Sequence, residues 1–138
     1  MKIVKLTEKN IPAFKSYFKQ FSHEQDESNP PLDDFTVSDS DPVYLLVKGN
    51  EIRGAAALML HPEYREVRQA RIRMFHAADG DYLSYLKLLN SILLHTSGLT
   101  SIYGFIEDNY SNIAKIWEDL GFESRRFAWV LIRDVKDI

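Results

Sequence analysis

The chain has 138 residues, enough for one domain with its own core, and its 45% hydrophobic and 27% charged content is that of a globular protein. A net charge of −3 argues against a general nucleic-acid binder, and no apolar run reaches the roughly 20 residues that cross a bilayer. Without cysteine there is no disulfide framework and no thiol nucleophile; the start MKIVKLTEKN has no apolar signal core, so a cytoplasmic domain spanning residues 1–138 is expected.

Residues 2–6 alternate polar and apolar and predict a first strand. Asn10 is placed as an N-cap with Pro12 in the first turn, and Ile11, Phe14, Phe18 and Phe21 mark the buried face of a helix. Residues 22–42 carry Glu24, Asp26, Glu27, Asp33, Asp34, Asp39 and Asp41 with no Lys or Arg, and Pro30-Pro31 keeps them mainly loop. Such a run is either a solvated loop or a field that concentrates a cationic substrate. Residues 43–48 and 51–60 flank a Gly49-Asn50 turn and predict a hairpin; a turn at 61–64 leads to a strand over 68–75. These three strands make an antiparallel meander. After Ala77-Ala78-Asp79-Gly80, Tyr82, Tyr85, Leu86, Leu89, Ile92 and Leu93 line a helix that Gly98 ends. Residues 101–106 form an apolar strand, stopped by Glu107-Asp108-Asn109. Ile113, Ile116, Trp117 and Leu120 then recur at helical spacing, Gly121 takes the left-handed C-terminal position, and Phe122 folds back on the last turn. A last strand spans residues 125–133.

The order predicts an α/β (α+β) protein with a mixed sheet covered by helices. It resembles the GNAT superfamily of N-acetyltransferases. The crossover SIYGFIEDNYSNIAKIWEDLGF at 101–122, the hairpin Lys48-Gly49-Asn50-Glu51-Ile52-Arg53-Gly54 and the opening from Ile3-Val4-Lys5-Leu6-Thr7 to Ile11 carry the resemblance. It implies transfer of an acetyl group from acetyl-CoA to a small-molecule amine. It sets the backbone of Met74, Phe75, His76 and Ala77 along the pantetheine arm, Gly80 and the following helix start at the phosphates and Asn109 beside the thioester end, with Asn112 a further cofactor-binding residue. A homodimer is the candidate assembly, and neither nucleic acid nor membrane is expected as a partner.

Acyl transfer from a thioester requires a held pyrophosphate, a stabilised oxyanion and two proton transfers. His76 and Glu107, each at a strand end facing the expected cleft, are the base candidates, and Tyr110 is the candidate proton donor. Two features depart from the family. Its phosphate-binding turn, Gln/Arg-x-x-Gly-x-Gly/Ala, is replaced by His76-Ala77-Ala78-Asp79-Gly80-Asp81, whose aspartates oppose a pyrophosphate and suit a helix cap instead. Trp117 stands where many members carry a thiolate-protonating Tyr, and an indole N–H is no general acid, so Trp117 is read as a core anchor. Arg71 and Arg73 fall on one strand face opposite Ala70, Ile72 and Met74, and are either paired with the acidic loop, exposed to solvent, or facing an anionic ligand. His23, His61, His76 and His95 lack ligand spacing, so no metal is expected. A rival reading is a GNAT-like module that has lost acyl transfer and binds a ligand or partner.

Overall fold

Strands β1 (Lys2–Lys5), β2 (Val43–Lys48), β3 (Glu51–Met59) and β4 (Gln69–Ala77) pair antiparallel in succession. Next, β4 runs parallel to β5 (Ser101–Phe105), and β7 (Val130–Asp134) joins β5 to the two-residue strand β6 (Glu123–Ser124). The described residues thus form a seven-stranded sheet in the order β1-β2-β3-β4-β5-β7-β6. The computed structural model describes residues 1–25, 32, 35–124 and 130–134. Helix α1 (Ile11–Phe21) is followed by a 3-10 turn, Ser22–Glu24; α2 (Pro62–Glu66) lies between β3 and β4. Helix α3 (Tyr82–Leu93) makes the β4–β5 crossover, and α4 (Ser111–Asp119) follows a 3-10 turn, Asp108–Tyr110. Among the described residues no helix is long and apolar enough to cross a membrane.

The period of two along β3 divides the core into two layers. Ala55 and Ala57 face α1, where Phe14, Tyr17, Phe18 and Leu45 pack with Met74. Ala56 and Leu58 face α3 and α4, packing with Phe75, Tyr85, Leu88, Ile92 and Trp117. Small residues on both faces of this central strand let helices approach from either side. Gly104 does the same for β5, because a Cβ there would lie 2.9 Å from the indole of Trp117.

The antiparallel meander is as the periodicity predicts. So is the end of α4: Gly121 has φ 103°, Phe122 N–H donates to the carbonyl of Trp117 at 3.1 Å, and the two rings lie 5.1 Å apart. Several local expectations are corrected. Asn10 does hold the N-cap position of α1, but its carboxamide turns back to Thr7, accepting from its N–H and hydroxyl, and makes no side-chain cap bond. Tyr82 is exposed, and Leu88 takes its place on the buried face of α3. Gly98 lies in a turn beyond the helix end at Leu93. The turn at 61–64 is the start of α2, and β4 runs on through His76 and Ala77. Of the strand expected over 125–133, residues 130–133 lie in β7; residues 125–129, like Pro30-Pro31, lie outside the described residues.

Candidate functional site

The site is built by the divergence of two neighbouring strands. β4 and β5 pair only over Gln69–Arg71 and Ser101–Tyr103, yet β4 stays on β3 as far as the Gly54–Ala77 pair. Past Arg71 the β5-facing edge of β4 therefore has no strand partner among the described residues. A bulge lies at Arg73, since Leu58 opposes Ile72 while Ala57 opposes Met74. The extra residue shifts the alternation of side chains. As a result Ile72 and Phe75 enter the α3/α4 layer and Met74 the α1 layer, which corrects the expected single face for Ile72 and Met74.

The gap between the strands is spanned by the residues after α1. The Gln25 side-chain Oε1 accepts from Phe75 N–H at 2.6 Å, and the Gln25 main-chain carbonyl accepts from Glu107 N–H at 2.8 Å. Gln25 is 1% exposed, and its Nε2 has no partner among the described residues. Beside it, Glu24 Oε1 lies 3.3 Å from His76 Nε2, and the His23 ring meets Tyr110 edge-on at 6.2 Å. On the other side of His76, Nδ1 lies 2.8 Å from the Tyr17 hydroxyl, and Phe21 stacks on the imidazole at 4.8 Å.

These partners define the protonation of His76. Burial lowers its pKa below the ordinary histidine value, outweighing the hydrogen bond and charge of Glu24, which act upward. The ring is then neutral. A carboxylate only accepts, so Nε2 carries the proton toward Glu24 and Nδ1 accepts from Tyr17. Burial also raises the pKa of Tyr17, holding its phenol protonated. His76 therefore faces α1, 2% exposed and with both nitrogens engaged, and not the open cleft that the sequence predicted.

At the other end of the expected donor path, the start of α3 is already capped. Asp79 Oδ1 accepts from Asp81 N–H at 3.0 Å, and its Oδ2 accepts from the Ser84 hydroxyl at 2.8 Å. Asp81, the N-cap of α3, accepts from Leu83 N–H at 3.3 Å, and Gly80 N–H donates to the Ala77 carbonyl at 3.1 Å. Three backbone N–H groups of this turn, those of Gly80, Asp81 and Leu83, are thus taken by this chain's own oxygens, two of them on carboxylates. A pyrophosphate does not fit here: it would meet two negative charges and displace the caps.

Three predicted residues gather around residues 22–25: His76 on Glu24, Glu107 on Gln25 and Tyr110 on His23. The backbone of Phe75 joins them, whereas Met74 and Ala77 pack in opposite layers. Asn109 and Asn112 are exposed near the start of α4, and Gly80 sits before α3 with φ 65°. Trp117 is fully buried, in ring contact with Phe75 at 5.3 Å, as expected of a core anchor. Arg71 lies 5.1 Å above the Phe105 ring and Arg73 5.7 Å above Phe35. In the acidic stretch, Asp41 accepts from the N–H groups of Leu60 and His61, and Asp39 lies 4.0 Å from Lys5; Asp26, Glu27, Asp33 and Asp34 lie outside the described residues. No group of metal-ligating side chains occurs among the described residues.

Tyr17 and Gln25 were not singled out by the sequence, and Glu24 was named only as one carboxylate of the acidic run at 22–42, not as a partner of His76. Tyr17 carries a signal, since it falls on the Phe14–Phe18–Phe21 face of α1. Glu24 and Gln25 carry none, because their partners lie 52 and 50 residues away.

No protein-family model matches the sequence, and no curated protein matches it. Solved structures do match. A GCN5-related N-acetyltransferase from Kribbella flavida superposes with a TM-score of 0.73 at 13% identity, covering 96% of each chain. A chimeric spermidine N-acetyltransferase from Vibrio cholerae and hSSAT has a TM-score of 0.69 at 10% identity, covering 99% of this chain and 98% of that one. N-acetylglutamate synthase from Neisseria gonorrhoeae, in complex with coenzyme A and N-acetyl-glutamate, has a TM-score of 0.71 at 14% identity; 97% of this chain matches 35% of that one. At such identities the likeness establishes the fold: this chain has the GNAT fold.

Proposed function

We propose that this protein is an N-acyltransferase that takes an acetyl group from an acetyl-CoA-type thioester lying along β4 and passes it to a small amine. The observation that carries the reading is the edge of β4 that, among the described residues, faces no strand past Arg71, with Phe75 N–H directed across the gap. Neighbours of the same fold that act on spermidine or hold coenzyme A support an amine acceptor and a CoA thioester. The thioester supplies the acyl carbon and a thiolate leaving group. Phe75 N–H binds an amide carbonyl of the donor's pantetheine arm and so holds the thioester along β4. Glu107, exposed just past β5, takes the proton from the amine. The half-buried Tyr110 hydroxyl protonates the departing sulfur, a role the Trp117 indole cannot fill. His76 holds the floor of the site through Tyr17 and Glu24. The carboxylates of residues 22–42 draw in the cationic acceptor.

One observation favours a second reading. The caps of Asp79 and Asp81 occupy the helix start on which a CoA pyrophosphate would rest, as they would in a module that has given up acyl transfer. Thiol release from acetyl-CoA and from S-acetylpantetheine, measured over a panel of amines, separates the two. Amine-dependent release of thiol supports the transferase. Absence of release from both thioesters with every amine leaves the binding module.

A further inference from the structure

The closure of the β4–β5 gap comes from the chain itself. Gln25 places one carbonyl oxygen on Phe75 of β4 and a second on Glu107 just past β5. Both bonds run from a backbone N–H to a neutral amide oxygen. A pantetheine arm also carries amide carbonyls, and lying between the same strands it would seek the same two donors.

We infer that Gln25 is an internal competitor of the acyl donor: the donor binds by displacing residues 22–25 from the gap between β4 and β5. The inference rests on the acyltransferase reading and adds what holds that site shut. Three features support it. The bonds exchanged are alike in kind, so little is lost when one amide replaces the other. The docked state also carries a flaw, because Gln25 Nε2 is buried with no partner among the described residues. An unmade buried hydrogen bond weakens docking, as a displaceable occupant requires. Finally, the same residues hold the rest of the site, with Glu24 on His76 Nε2 and the His23 ring against Tyr110. Undocking therefore frees Tyr110 from His23 in the step that admits the donor, so the proton donor to the sulfur is released only with a thioester in place.

The test is calorimetric titration of the full chain with S-acetylpantetheine, for the wild type and Gln25→Ala, together with hydrogen exchange at the amides of Phe75 and Glu107. Gln25→Ala removes the acceptor of Phe75 N–H and keeps the main-chain carbonyl that Glu107 uses. Phe75 should lose protection while Glu107 keeps it, and the thioester should bind roughly three- to tenfold more tightly, the worth of about one hydrogen bond. If the variant folds poorly, the wild type decides: saturation with thioester should shift the ring resonances of His23 and Tyr110 as their contact breaks. Equal or weaker binding by a folded Gln25→Ala, or unmoved ring resonances at saturation, overturns the inference and leaves the acyltransferase reading in place. Failure of both chains to bind the thioester overturns that reading and the inference together.

Discussion

At both ends of the expected donor path the chain satisfies its own N–H donors, but with different chemistry. At the thioester end the acceptor is Gln25, a neutral amide brought to Phe75 from 50 residues away. At the phosphate end the acceptors are the carboxylates of Asp79 and Asp81, each bonded to the N–H two residues on. A neutral amide from a remote turn exchanges like for like with an amide of a ligand. A local carboxylate that caps a helix is not replaced without loosening that helix, and until then it repels a phosphate. The donor's grip is therefore expected at its thioester end.

Substitutions can break or sharpen this contrast. The largest effect belongs to the shared floor: Trp117 is fully buried against Phe75 and Phe122, so Trp117→Ala should lower stability by about 3–5 kcal/mol in urea unfolding. Next comes Tyr17→Phe, which leaves the buried Nδ1 of His76 without its hydroxyl and should cost about 1–3 kcal/mol by the same measurement, with Glu24 still on Nε2. Asp81→Ala should cost about 1 kcal/mol through the lost cap of α3, and should strengthen acetyl-CoA binding while leaving that of S-acetylpantetheine unchanged. An equal gain for both thioesters would mean that the aspartate does not act through phosphate.

The smallest effect is on pH dependence. Because burial lowers the pKa of His76, the folded state binds fewer protons than the unfolded one below the ordinary histidine value of about 6.5. Its contribution to stability is thus complete above that value and is lost as the pH falls through it toward the lower folded value. His76→Gln should flatten this part of the profile. Some slope should remain from His95, whose pKa is also lowered by burial and whose Nε2 lies 2.7 Å from the Tyr44 hydroxyl.

What was legible in the sequence was mostly local or periodic. The Ser101–Phe105 strand, the α4 stripe and the Gly121-Phe122 ending follow from period and turn chemistry, and the structure reproduces them. The caps of Asp79 and Asp81 were also legible, since each acts within five residues of itself. What escaped depends on pairing between distant segments. The bulge at Arg73 arises where β4 meets β3, so strict alternation mis-assigned Ile72 and Met74. The side of the sheet to which His76 turns depends on that same shift, and its partners Tyr17 and Glu24 are 59 and 52 residues away. Gln25 looked like one polar residue in an acidic loop, and only the divergence of β4 from β5 gives it a role.

The most direct test compares the affinities of acetyl-CoA and S-acetylpantetheine for the unmodified protein, by calorimetry at low salt. With the phosphate end capped by aspartates, the phosphate-free thioester should bind at least as tightly as acetyl-CoA. Acetyl-CoA binding tenfold or more tightly, an advantage of about 1.4 kcal/mol that fades with salt, would show that the helix start grips the pyrophosphate after all and would contradict the account.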